Sequence, residues 1–166
     1  AGRFPAFLYT NTKKITRYGI LWEKGKEMER SEIMILIAVT DNRDGILFHE
    51  RRQSSDRELR KRILERAKDT WLWVSPYTRR QFTEETDRIR EAAQPLLKAG
   101  QGELCFLEEP VSEFPEAMEI LILYRWNRDY PADVWLPPVP EGWRMVSKKD
   151  FQGYSHGKLT EEVYKK

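Results

Sequence analysis

Two stretches of this sequence, Ile33-Met34-Ile35-Leu36-Ile37-Ala38-Val39 and Met118 to Tyr124, are apolar at almost every position. Successive side chains of a strand point to opposite faces, so a run that is apolar on both faces requires cover on both. Both stretches are far shorter than the ~18 residues of a membrane span. They are therefore predicted to be interior strands, and the first is placed at the centre of a sheet. Before it, Phe4 to Tyr9 and Arg17 to Trp22 read as short strands, with a turn near Gly25. After it, Asp41-Asn42-Arg43-Asp44-Gly45 supplies residues that tolerate positive φ, and Ile46 to His49 resumes the strand pattern, which predicts an antiparallel hairpin.

The period then changes. Ser55-Asp56-Arg57-Glu58 has the form of a capping box, and Leu59, Ile63, Ala67, Trp71 and Val74 follow at helical spacing. Pro76 closes that helix, and Ser75-Pro76 can open a short one through Phe82. Thr83 to Lys98 reads as a further helix, with Ile89, Ala93, Leu96 and Leu97 inward, Pro95 as a kink and Gly100 as the stop. Strands return at Leu104 to Leu107, at Met118 to Tyr124 and at Trp143 to Val146, followed by helical turns at Lys148 to Gln152 and Thr160 to Tyr164. The expected architecture is one α+β domain over residues 1–166, a mainly antiparallel sheet with two to three helices, about residues 55–98, packed on one face.

Composition narrows the function classes. The 166 residues suit one domain, and 29 Lys and Arg against 27 Asp and Glu give a net charge of only +2, unlike a dedicated nucleic-acid coat. The single cysteine, Cys105, excludes an internal disulfide framework and a Cys-based zinc cage, and suggests a reducing compartment. In Glu103-Leu104-Cys105-Phe106-Leu107 it reads as a strand residue of the interior rather than a nucleophile. The opening Ala1-Gly2-Arg3-Phe4 has no apolar signal-peptide core, so the cytoplasm is the expected location, with no membrane partner. Nothing in the spacing calls for a metal or a cofactor.

Charge is unevenly distributed. Arg51 to Lys68 holds eight basic against three acidic residues, while Glu103 to Glu119 holds six acidic and no basic ones. The basic stretch reads as a solvated helix face laced by i,i+4 pairs, with Arg60 on the apolar side. Arg51 and Arg52 stand where a strand meets a helix, a place that suits an anion but needs none. Asp44, Glu50 and Arg52 are a poor match for the carboxylates of metal-dependent nucleases.

Two loops carry the candidate chemistry. Tyr124 to Asp133 displays Arg125, Trp126, Arg128 and Tyr130 at the end of a strand, where aromatic rings can stack and guanidinium groups can fork to an anion. Gly153 to Thr160 brings Ser155, His156 and Lys158 together between glycines. The bland alternatives are a tryptophan-pinned coil and an ordinary C-terminal turn. These seven residues predict a small binding or regulatory module for RNA or another phosphate-bearing ligand, with a protein partner as the other reading. The enzymatic alternative is a metal-independent phosphodiesterase of ribonuclease type, in which His156 and His49, the only histidines, share acid and base roles and Lys158, Arg125 or Arg128 stabilises the phosphorane.

Overall fold

The computed structural model describes residues 34–166 and, before them, only the backbone of Trp22–Glu23 and Lys26–Glu27. The chain divides into two compact units, Ala1–Glu32 and Ile33–Lys166. In the first, the strands β1 (Trp22–Glu23) and β2 (Lys26–Glu27) pair antiparallel. The strand expected at Phe4 to Tyr9, most of the one at Arg17 to Trp22, and Ile33 lie outside the described residues.

The second unit is organised around β3 (Met34–Thr40), β4 (Gly45–Phe48), β5 (Arg51–Arg52), α1 (Arg57–Arg66), β6 (Leu72–Val74), α2 (Pro76–Arg79), β7 (Ile89–Glu91), β8 (Leu104–Phe106), β9 (Met118–Arg125), β10 (Val134–Trp135), β11 (Arg144–Phe151) and β12 (Leu159–Lys165). Seven of these strands form one sheet in the order β11-β12-β9-β3-β8-β6-β7. The pairs β9/β3, β3/β8, β8/β6 and β6/β7 are parallel, and only β12 and β11 run antiparallel to their neighbours. The sheet is thus mostly parallel, a correction to the antiparallel expectation, and the described residues hold two α-helices.

Alternation along β3 explains its composition. Ile37 and Val39 face Leu59, Ile63 and Ala67 of the α1 segment, together with Ile122 and Tyr124 of β9. Met34, Leu36 and Ala38 face the opposite way, against Ile46 and Leu47 of β4, Leu121 and Leu123 of β9, and Leu136. Both faces are covered, as the double apolar pattern requires.

Several local expectations fail for identifiable reasons. The apolar stripe from Leu59 to Val74 is helical only to Arg66; Leu72 and Val74 are buried in β6, because a spacing of three to four residues also fits a strand reached through a turn. Asp56, not Ser55, caps α1. Thr83 to Lys98 contains β7 and a 3₁₀ turn at Pro95–Leu97, where Pro95 denies a helix its interior N–H. The turns expected near residues 148–152 and 160–164 are strands β11 and β12, held in place by pairing to each other and, for β12, to β9. The Asp41–Gly45 turn does not return β4 onto β3; β4 pairs with β5 and β10 in a separate three-stranded sheet.

Candidate functional site

In a parallel sheet, ligands collect at the carboxyl ends of the strands, where neighbouring connections diverge. Here β3, β6, β8 and β9 run out at Thr40, Val74, Phe106 and Arg125. The connection after β3 leads through α1 to β6 on one side, whereas β9, on the other side of β3, follows β8. The small sheet β10-β4-β5 begins just beyond this edge, with Asp41 and Gly45 as its tether.

Two buried aspartates fix the edge. Asp41, which follows β3, accepts from the backbone N–H groups of Arg43, Gly45 and Tyr130 and from Gln53 Nε2 at 2.8–3.2 Å. Burial alone pushes its carboxyl up, but these donors outweigh burial and hold it below the ordinary range. A Cβ on Gly45 would lie 2.6 Å from Ala132 Cβ and 2.8 Å from Gln53 Nε2, so only glycine admits the strap at residues 130–132.

Asp56 does more than cap a helix. Its Oδ1 accepts from the N–H groups of Glu58 and Leu59 in α1 and of Tyr154 in the C-terminal loop. Its Oδ2 accepts from Ser155 N–H at 2.8 Å, His156 N–H at 3.2 Å, Ser155 Oγ at 3.2 Å and His156 Nδ1 at 3.0 Å. Burial raises the carboxyl, yet the donors of Tyr154, His156, Ser155 and Glu58 drive it well below the usual carboxylate range. The loop can close on it because position 153 is glycine; a Cβ there would meet His156 O at 2.7 Å and Asp56 Oδ2 at 2.8 Å.

The ionised Asp56 assigns the histidine tautomer. With Nδ1 against the carboxylate, a ring proton sits on Nδ1, and in the neutral imidazole Nε2 presents its lone pair. That lone pair faces Ser54 Oγ at 3.1 Å and the Tyr130 hydroxyl at 3.2 Å. The buried Trp126 ring stacks on the imidazole, 4.6 Å between centroids, so His156 is fixed on every side.

Two clefts open nearby. The first, ≈ 610 Å³, is lined by Phe48, His49, Arg51, Arg52, Gln53, Tyr130 and Pro131. Gln53 Oε1 is buried and has no hydrogen-bond partner among the described residues. The β4–β5 turn that walls this cleft places both His49 (φ 50°) and Glu50 (φ 61°) in the left-handed region, the form of a type I′ hairpin built without glycine. The second cleft, ≈ 430 Å³, is lined by Leu47, Glu50, Ser75, Tyr77, Glu108, Glu109, Pro110, Asp133 and Val134. Glu108 there accepts from Arg52 Nε at 3.0 Å, from Arg52 Nη2 at 3.0 Å, from Thr78 Oγ1 at 2.9 Å and from Gln81 Nε2 at 3.1 Å. This pair also joins the basic and acidic segments of the sequence internally.

The predicted site residues divide accordingly. Trp126, Tyr130, Ser155 and His156 do converge, but Trp126 is only 3% exposed and offers no free face for a base. Arg125 is engaged by Asp44 at 2.6 Å and Glu162 at 3.1 Å, so it is a sheet-edge clamp. Arg128 and Lys158 are exposed, the latter 3.6 Å from Asp150. His49 lines the first cleft beside Tyr130, while His156 lines neither cleft and meets the Tyr130 hydroxyl through Nε2 at 3.2 Å. Sequence reasoning missed Ser54, Asp56, Asp41 and Gln53, whose roles depend on partners 12 to 102 residues away. Cys105 is buried, and burial pushes its thiol far up, which removes it as a nucleophile.

No protein-family model matches the sequence, nor does any curated protein. Among solved structures the chain is similar to a dihydrofolate reductase from Enterococcus faecalis complexed with NADP(H) and RAB-propyl. The identity is 13%, the TM-score is 0.56, and the match covers 80% of this chain and 95% of that one. This overturns the RNA-binding and ribonuclease readings, whose stacking tryptophan and forked arginine are in any case consumed within the fold. Among the described residues no helix is long and apolar enough to cross a membrane. The chain carries a dihydrofolate-reductase-like fold, a mixed α/β domain on a mostly parallel seven-stranded sheet.

Proposed function

We propose that this chain binds a small, flat heterocyclic carboxylate in the cleft lined by Tyr130. The observation that carries the reading is one cleft lined both by Gln53, whose buried Oε1 has no hydrogen-bond partner among the described residues, and by positive charge. Gln53 Oε1 is an acceptor, and the exposed Arg51 offers a fork for a carboxylate. Phe48, 39% exposed, and Tyr130 supply the apolar walls that such clefts use to hold flat ligands. Neither buried aspartate is free to take a ligand's donors, since Asp41 and Asp56 already accept four and seven hydrogen bonds.

NADP(H), the cofactor present in the similar structure, does not fit this chain. A dinucleotide's pyrophosphate at the ends of parallel strands needs a glycine-rich turn and a helix N-terminus with open N–H groups. After β8 the chain runs Leu107-Glu108-Glu109-Pro110, and α2 is four residues long, begins with proline and is capped by Ser75 Oγ. The second cleft adds Glu50 and Asp133 to those two glutamates. Burial raises the Glu109 carboxyl, the Glu108 backbone hydrogen bond works against this and the Glu108 charge adds to it, and the four acids lining this cleft disfavour a pyrophosphate. No hydride step is assigned to the site.

Calorimetric titration with pterin-6-carboxylate, nicotinate and NADPH tests the proposal. A carboxylate should bind, weaken at least ~10-fold in Arg51→Ala, as expected for loss of a charged hydrogen bond, and leave NADPH without measurable heat. Tight NADPH binding, or carboxylate binding indifferent to Arg51, would refute it. A reducing, cytoplasmic setting accords with the single buried Cys105.

A further inference from the structure

Ser54, His156 and Asp56 stand in a nucleophile, base and orienter relation: Ser54 Oγ to His156 Nε2 at 3.1 Å, and His156 Nδ1 to Asp56 Oδ2 at 3.0 Å. The geometry points to Ser54 as a nucleophile activated by His156, acting on esters of the heterocyclic acids that the Tyr130 cleft is proposed to bind, and it rests on that reading for its substrate class. Such triads are recognised by geometry and roles, not by sequence order.

Three features favour Ser54 over its neighbours. Ser155 Oγ lies on the Nδ1 side of the ring and donates to Asp56, so its proton is already committed. The Tyr130 hydroxyl shares Nε2 with Ser54, but a phenol is the bulkier of the two hydroxyls and its residue already walls the cleft. Ser54 itself is partly exposed, whereas His156 and Asp56 are buried. The buried carboxylate fixes the imidazole and stabilises the imidazolium that forms when Nε2 takes a proton.

The reaction balances with water as the only co-reactant. As Ser54 Oγ attacks the ester carbonyl carbon, its proton passes to His156 Nε2, and the carbonyl oxygen becomes an oxyanion. Collapse breaks the bond to the leaving alkoxide, which takes the Nε2 proton and departs as an alcohol. Water then gives a proton to Nε2, attacks the acyl-Ser54 carbonyl and releases the carboxylic acid, and the Nε2 proton returns to Ser54 Oγ.

A fluorophosphonate probe and 4-nitrophenyl nicotinate, used on the whole chain, test this. Mass spectrometry should find the fluorophosphonate on Ser54, and 4-nitrophenol should be released in a burst followed by turnover. Ser54→Ala should abolish both, and His156→Gln should slow both by ~10²-fold or more. Thermal melting of each variant guards against simple unfolding. Ser54→Cys gives a second measure, since its thiol should react with iodoacetamide faster with His156 present than in the double variant His156→Gln. Failure of the probe to label Ser54 in protein that still binds pterin-6-carboxylate would overturn the nucleophile while leaving the binding reading intact. Labelling of Ser54 in protein that binds none of the carboxylates would support the nucleophile and remove its proposed substrate class.

Discussion

Replacing Asp56 by Asn keeps the size of the side chain and exchanges one acceptor for a donor. Whichever way the amide turns, its NH2 faces donors. On the Oδ2 side these are the N–H groups of Ser155 and His156 together with His156 Nδ1, and on the Oδ1 side the N–H groups of Glu58, Leu59 and Tyr154. Losing the cap alone costs ~0.5–2 kcal/mol. Leaving buried donors unsatisfied costs ~1–3 kcal/mol per group, and dismantling a buried charged network ~3–5 kcal/mol as a whole. The network figure is the better guide because the donors share one carboxylate and their losses do not add. A fall of about 4 kcal/mol, out of the ~5–15 typical of a domain, should lower a urea midpoint by ~2 M at a slope near 2 kcal/mol/M. Urea unfolding followed by tryptophan fluorescence measures it, with Trp126 stacked on His156 as the local reporter. A loss under ~1 kcal/mol would mean that Asp56 is not the node joining α1 to the C-terminal loop.

Other outcomes follow from the same geometry. Gly153→Ala puts a methyl group 2.7 Å from His156 O and 2.8 Å from Asp56 Oδ2, and should cost ~1–3 kcal/mol by thermal denaturation. The folded-state carboxyls of Asp41 and Asp56 are depressed, so their stabilisation is complete above the unfolded value near ~3.9 and is lost as pH falls through the lower folded value. Urea midpoints should therefore hold from neutrality to about pH 5 and drop steeply below pH 4, less so in Asp56→Asn. Exchanging His49-Glu50 for Asn-Gly relieves two left-handed residues and should raise stability by about 1 kcal/mol in the same urea assay.

What the sequence made legible was set by patterns that stay local. The composition of Ile33 to Val39 and Met118 to Tyr124 required covered strands, and β3 and β9 are covered on both faces. The spacing of Leu59, Ile63 and Ala67 located the inward side of α1. Strand direction was not legible, because Leu104 to Phe106 reads the same beside a parallel or an antiparallel neighbour, and only the routing of the connections decides. Thr160 to Tyr164 is a strand rather than a helical turn because β9 and β11 pair with it, and Arg66 and Arg125 draw its acids Glu161 and Glu162 into the fold. Of the site, Tyr130, Ser155 and His156 were singled out by residue type. Ser54 and Asp56 were not, because a serine and an aspartate ahead of a helix ordinarily signal only a cap.

Chemical-shift mapping on isotope-labelled protein tests the central claim, that the Tyr130 cleft and not the acidic cleft is the ligand site. On titration with pterin-6-carboxylate, the shifts should concentrate at Phe48, Arg51, Gln53 and Tyr130 and reach the His156 ring. NADPH should move nothing specifically. Shifts centred instead on Ser75 to Thr78 and Glu108 to Pro110, in response to NADPH, would contradict the account.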